Sequence, residues 1–269
     1  IAIPIAVQNL ISSSLNMIDT IMIGQLGETE IAAVGLANEI FFLLNLFLFG
    51  VCSGSAIFFA QFWGKRDIPN IKRVLGLSLV CGVTISFILT FVAALIPEKV
   101  LKIFTEDQKV IELGSQYARI VCISYIMTAI TYSYAFALRN TGQPKVPMFI
   151  SGCAVLINSI LNYALIFGHF NAPELGVRGA AIATVIARGA EMILIVAIVY
   201  LNKYPIGAKM SEIFDIDRAF TKKFFKTTLP VICNEMLWAL GVSAYTMVYA
   251  RMGTGVIAAV NIASTVERL

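Results

Sequence analysis

Two stretches of this chain read as copies of one another: PIAVQNLISSSLNMIDTIMIGQLGETEIAAVGLA at 4–37 and PVICNEMLWALGVSAYTMVYARMGTGVIAAVNIA at 230–263. A shift of 226 residues, with no gap, puts Pro4 on Pro230, Thr20 on Thr246 and Gly27 on Gly253. The same shift puts Ile31-Ala32-Ala33-Val34 on Ile257-Ala258-Ala259-Val260, and Ala37 on Ala263. Internal similarity at a fixed spacing is the mark of a duplicated structural unit.

The residues around the copies say what kind of unit this is. Only 13% of the 269 residues are charged and 58% are hydrophobic, with mean hydropathy +0.84. A soluble domain carries about 25% charged residues; with so few here, much of this surface must face lipid. A helical span needs about 20 apolar residues. Runs of that kind occupy 1–24, 31–63, 74–96, 111–138, 146–167, 177–201 and 228–249, and an eighth begins near Val256. The runs are too long and too uniform for the strands of a membrane barrel.

The connections at 64–73, 139–145 and 202–227 hold most of the basic residues: Lys65, Arg66, Lys72, Arg73, Arg139, Lys145, Lys203, Lys209, Arg218, Lys222, Lys223 and Lys226. The opposite connections hold Lys99, Lys102, Lys109, Arg178 and Arg251. Basic residues favour the cytoplasmic face, which predicts a cytoplasmic N-terminus. In the long connection, Ile213, Phe214, Ala219 and Phe220 suggest a short amphipathic helix on the membrane surface.

Six spans separate the copies, so both run through the membrane in the same direction. Parallel repeats related by an axis along the membrane normal are an architecture of secondary transporters. The expectation is an all-α membrane protein: a six-helix lobe at 1–201, a cytoplasmic linker at 202–227, and the start of a second lobe at 228–269. The intact protein is expected to have about twelve spans.

Several segments resemble the multidrug and toxic compound extrusion (MATE) family. They are Pro4 with Asp19, Gly27 before Ile31-Ala32-Ala33-Val34-Gly35, RNTGQPK at 139–145, NSILNYALIFG at 158–168, GVRGAAIAT at 176–184, and the copy from Pro230. The resemblance runs along the whole chain. It implies a cation-coupled antiporter of two six-helix lobes, using Na⁺ or H⁺ to expel small organic, usually cationic, compounds by alternating access. It implies no cofactor beyond the coupling ion. The expected setting is the plasma membrane, with a monomer in lipid and no nucleic-acid partner.

Asp19 lies about 8 Å, or five residues, from the end of the first span. A carboxylate at that depth must be paired, hydrated or protonated, so it is able to exchange a cation for a cationic substrate. It falls on Tyr245 in the repeat, which argues against a packing role shared by both copies. The resemblance assigns Asp19 to the cation site of the first lobe. Asn158 and Asn162 are spaced i, i+4 and share a helix face. The family often has an Asp at the second position, so a two-carboxylate proton site is in doubt here. Asn162 remains able to hold Na⁺ through its carbonyl oxygen, and the two Asn also suit a helix–helix hydrogen-bond pair. Thr184 is a further oxygen ligand by resemblance, or a hydroxyl bonded to its own helix.

Glu235 falls on Asn9, and Asn234 on Gln8, which suggests polar pairs facing each other across the pseudo-axis. Glu235 is therefore a candidate coupling or substrate-binding carboxylate, or an interlobe anchor. Pro4 and Pro230 are candidates for helix bending. Arg188 and Glu191, at i, i+3, read as a mutually satisfied pair, and Glu39 and Arg119 as residues partnered within the bundle. His169, the only histidine, reads as a loop residue.

Other classes fit less well. A flippase for lipid-linked saccharides of related architecture calls for a strongly cationic cavity, whereas these candidates are acidic or amide. A seven-span receptor enters from outside, and a retinal protein needs a Lys in its seventh span, where 228–249 has none. An intramembrane enzyme would show HExxH, GxSxG or a catalytic dyad. The five cysteines sit in apolar stretches and read as small packing residues.

Overall fold

The computed structural model describes residues 2–213 and 217–267. The helices in order are α1 (Ala2–Gly24), α2 (Glu28–Gly64), α3 (Ile68–Leu95), α4 (Pro97–Phe104), α5 (Gln108–Val121) and α6 (Ile123–Asn140). They continue with α7 (Lys145–Phe167), α8 (Val177–Leu201), α9 (Met210–Ile213), α10 (Arg218–Arg251) and α11 (Thr254–Glu267). No strand occurs among the described residues.

Local signals set the helix ends. Asp67 accepts the backbone N–H of Asn70 and caps α3, while Asp107 accepts those of Lys109 and Val110 and caps α5. α7 stops at Gly168, whose φ of 72° is left-handed. The repeat appears in the backbone itself. Gly27 and Gly253 both have positive φ, 147° and 122°, and each immediately precedes a helix. Each carbonyl accepts a 3.3 Å hydrogen bond four residues on, from Ile31 and Ile257. A side chain is strained at such φ values, which accounts for glycine in both copies.

Among the described residues, five helices are long and apolar enough to cross a membrane: α2, α3, α7, α8 and α10. The pair α5 and α6, bent by 50°, is long and apolar enough to cross when the two helices are taken together. The run at 111–138 is therefore bent at Cys122 and not a straight helix. The corner is held by side chains. The Thr90 hydroxyl donates to the Cys122 carbonyl at 2.9 Å, and the Ser124 hydroxyl to that of Val121 at 2.6 Å. A break inside lipid requires such replacement partners. α1 is not among those five; Gln8, Asn9, Asn16 and Asp19 interrupt its apolar residues.

The expected connection at 97–110 contains α4. The expected linker at 202–227 is helical over its last ten residues, which belong to α10. Phe214 of the expected amphipathic helix lies outside the described residues. Ile213 is buried on α3 instead of lying on a membrane surface: its backbone carbonyl meets the space over Gly76, and Lys72 Nζ donates to Glu212 Oε1 at 2.9 Å. Phe220 and Phe224 pack on Phe58 and Phe62, with Phe58–Phe224 centroids 5.7 Å apart.

α2, 37 residues long, is the central helix. Leu44 and Phe59 on it are fully buried, while Phe87 and Phe91 on α3 and Phe149 and Leu156 on α7 are more than 60% exposed. An apolar outside of this kind suits lipid. α2 and α10 approach closely through Gly50 and Gly54. A Cβ on Gly50 would stand 2.9 Å from Ile232 Cα, and one on Gly54 2.6 Å from Thr228 Cγ2. Small residues let helix backbones meet where lipid offers no hydrophobic drive. Pro230 lies inside the 34-residue α10, where its ring leaves the Lys226 carbonyl without its usual donor. Pro4 stands in the first described turn of α1, where a missing N–H leaves no gap among the described residues.

Candidate functional site

Beyond the α2–α10 contact at Gly50 and Gly54, the helices part around a cavity of about 380 Å³. Its lining includes Asp19, Asn158, Asn162 and Thr184, together with Glu39, Arg188 and Tyr245. Four of the five residues named as binding candidates from sequence therefore meet in one place. Glu235 does not line the cavity; it is partly exposed on α10.

The four come from three helices. Asn162 Nδ2 on α7 donates to Asp19 Oδ1 on α1 at 2.5 Å and to Asn158 Oδ1 at 2.9 Å. Asn158 Nδ2 reaches Thr184 Oγ1 on α8 at 3.5 Å, and Thr184 donates to the Ala180 carbonyl at 2.9 Å. Asn158 and Asn162 are both buried. Asn162 Oδ1 is buried with no hydrogen-bond partner. A buried amide oxygen left this way loses its hydration without replacement. The i, i+4 spacing joins the two amides by a hydrogen bond within α7, and the bond between helices is the one from Asn162 to Asp19.

The close approach of α7 and α8 depends on Gly179. A Cβ there would collide with the Leu165 carbonyl oxygen and stand 2.6 Å from the carbonyl carbon. That carbonyl also accepts the Leu175 N–H at 2.9 Å, which returns the chain from α7 to α8.

A second polar group lies further along the same three helices. Gln8 Nε2 donates to Ser151 Oγ, and Ser151 Oγ to Glu191 Oε1, each at 2.9 Å. Arg188 Nη1 donates to Glu191 Oε2 at 2.8 Å. The expected Arg188–Glu191 pair is present. Gln8, by contrast, is buried inside the lobe and does not face Asn234 across the axis; its alignment in the repeat carried no information about that partner. Arg119 pairs with Glu98 at the exposed end of α4 and α5, and His169 stacks on Tyr163 with centroids 4.3 Å apart. Sequence reading missed the cavity position of Glu39. On a helix apolar on all sides, periodicity does not single out one face.

Among the described residues no three or more His, Cys, Asp or Glu cluster as a metal site would require. Asp19, Asn158, Asn162 and Thr184 bring one carboxylate, two amides and one hydroxyl together at the cavity wall.

A helical bundle in lipid, with a polar cluster open to an interhelical cavity and a parallel repeat, belongs to the class of membrane transporters. The comparisons make this specific. A family model described as MatE matches residues 4–164, more than half of the chain, and the chain belongs to that family. It is 26% identical over 267 residues to the probable multidrug resistance protein YoeA of Bacillus subtilis, covering 98% of this chain and 58% of that protein. It is 24% identical over 276 residues to the probable multidrug resistance protein NorM of Thermotoga maritima, covering 100% of this chain and 58% of that one. The chain thus spans somewhat over half the length of these curated relatives. An inward-facing multidrug resistance MATE family transporter of the MOP superfamily shares its fold, with TM-score 0.79 at 22% identity over 94% of this chain and 57% of that one. A MOP superfamily transporter from Pyrococcus furiosus, described as having a binding pocket of reversed polarity, has TM-score 0.77 at 20% identity over 99% of this chain and 62% of that one. The relatives are transporters and not enzymes.

Proposed function

We propose that the protein is a cation-coupled antiporter that exports small organic, mostly cationic, compounds across the plasma membrane, with Asp19 as the coupling carboxylate of the first lobe. The carrying observation is the bond from Asn162 to Asp19, with Asn162 Oδ1 buried and unpartnered beside it. In this reading Asp19, Asn158, Asn162 and Thr184 hold Na⁺ through their oxygens, or Asp19 alone holds a proton. Asn162 takes up no proton, so the site carries at most one per turnover. Positive charge at Asp19 disfavours a cationic compound in the same cavity, and lobe motion gives alternating access. Pro230 supplies a point of helix flexibility. The excess of basic residues in the connections at 64–73, 139–145 and 202–227 supports a cytoplasmic N-terminus in this reading, and the protein acts as a monomer.

The test uses the complete polypeptide in inverted membrane vesicles, with ethidium as substrate and imposed Na⁺ or pH gradients in separate arms. Asp19→Asn is expected to abolish gradient-driven export in whichever arm drives the wild type, while the protein remains folded in detergent. Wild-type rates from the variant would remove Asp19 from the mechanism.

A further inference from the structure

We infer that Glu39 is the carboxylate that holds the cationic centre of the transported compound, separately from the cluster at Asp19. The inference rests on the antiporter reading above and assigns its substrate subsite. Among the described residues lining the cavity, the carboxylates are Asp19 and Glu39, and the arginine is Arg188. Arg188 is matched by Glu191 at 2.8 Å, so the pair is neutral as a unit. The cavity's negative charge then resides on Asp19 and Glu39. Asp19 is tied into the lobe by Asn162, across α1 and α7.

Glu39 faces the other way. It sits on α2, and Ser243 Oγ on α10 donates to its Oε2 at 3.5 Å. That bond is long and crosses from the first lobe to the second copy of the repeat, and a charged contact from a ligand is stronger than a neutral hydroxyl at that distance.

The surroundings fit an organic monocation. Phe41, Phe42, Tyr245 and Tyr249 line the same cavity. Phe42 also meets Trp238, centroids 6.2 Å apart at 54°. Aromatic faces beside a carboxylate bind the apolar body and the diffuse charge of such a cation. A volume of about 380 Å³ falls within the range of drug-sized sites, roughly 300–1,000 Å³. Residue 39 falls on Thr265 in the repeat, so its charge belongs to one copy only. Two carboxylates for two cations give each its own site, and charge placed at one opposes charge at the other.

The probe is tetraphenylphosphonium, a permanent monocation, titrated by calorimetry into the complete purified protein. Glu39→Gln is expected to weaken binding by about tenfold or more, as expected for loss of one partner of a charged contact. Glu39→Asp, which keeps the charge, is expected to recover most of it, and Asp19→Asn, which removes a charge further from the probe, to weaken binding less than Glu39→Gln does. If Glu39 only anchored α10, Ser243→Ala would reproduce the loss; on the present inference it binds as wild type does or more tightly. Unchanged affinity in Glu39→Gln, an equal loss in Ser243→Ala, no recovery in Glu39→Asp, or no wild-type binding each overturns the assignment. Wild-type binding without gradient-driven transport in vesicles would overturn antiport and leave the Glu39 site standing.

Discussion

Replacing Gly179 by alanine should disturb stability and the polar cluster together. The added Cβ would stand 2.6 Å from the Leu165 carbonyl carbon and 3.1 Å from the Ile166 nitrogen. Carbon atoms in contact prefer about 3.5–4.0 Å, so α8 must withdraw from α7 by about 1 Å. The obstacle is backbone, already fixed by the Leu175 N–H on the same carbonyl, and no rotamer change relieves it. Overpacking of this kind costs about 1–3 kcal/mol, and the rigidity of the obstacle places the expectation in the upper half of that range. Gly152→Ala is the control. It lies inside α7, where a Cβ meets only Ile11 Cδ1 at 3.9 Å. Helix propensity alone predicts a gain there of up to about 1 kcal/mol. Both variants are purified as the complete protein and melted in detergent, followed by tryptophan fluorescence. Gly179→Ala should melt below wild type and Gly152→Ala at or above it. Because Thr184 lies five residues beyond Gly179, only the former should also weaken cation-dependent stabilisation. Equal melting of the two variants would refute the close-contact argument.

Two further outcomes are expected. Glu191→Ala leaves Arg188 without its partner, which costs about 3–5 kcal/mol for a buried pair; Arg188 is partly open to the cavity, so a loss of no more than about 3 kcal/mol is expected, and Arg188→Leu with Glu191→Leu should recover part of it in the same melt. Glu212 is held below the ordinary carboxylate range by the Lys209 backbone N–H and then by the Lys72 side chain. A lowered value means that the α3–α9 contact is favoured above the ordinary carboxylate pKa and lost as pH falls through the lowered one. Hydrogen exchange at 204–213 should therefore accelerate on acidification, beyond the intrinsic pH effect, in wild type and not in Glu212→Gln.

Much of this molecule follows from one-dimensional pattern, because lipid forces it. Backbone groups in a bilayer must be satisfied within each helix, so apolar length alone located the spans at α2, α3, α7, α8 and α10. The duplicated glycines at 27 and 253 were legible for a similar reason: their positive φ is a local backbone requirement, met by the residue itself. The i, i+4 spacing put Asn158 and Asn162 on one face without reference to any other helix. What pattern did not contain was which faces meet. The corner at Cys122 depends on the Thr90 hydroxyl, which arrives from α3. Gln8 turned toward Ser151 and not toward Asn234, and Glu235 stayed outside the cavity. Glu39, on a helix apolar on every side, gained its place opposite Ser243 only when α2 packed on α10. These arrangements rest on contacts between residues far apart in the chain, and such contacts are settled by helix packing, on which hydropathy and spacing are silent. The bond between Asn162 and Asp19 spans 143 residues, and only the folded lobe brings its two ends together.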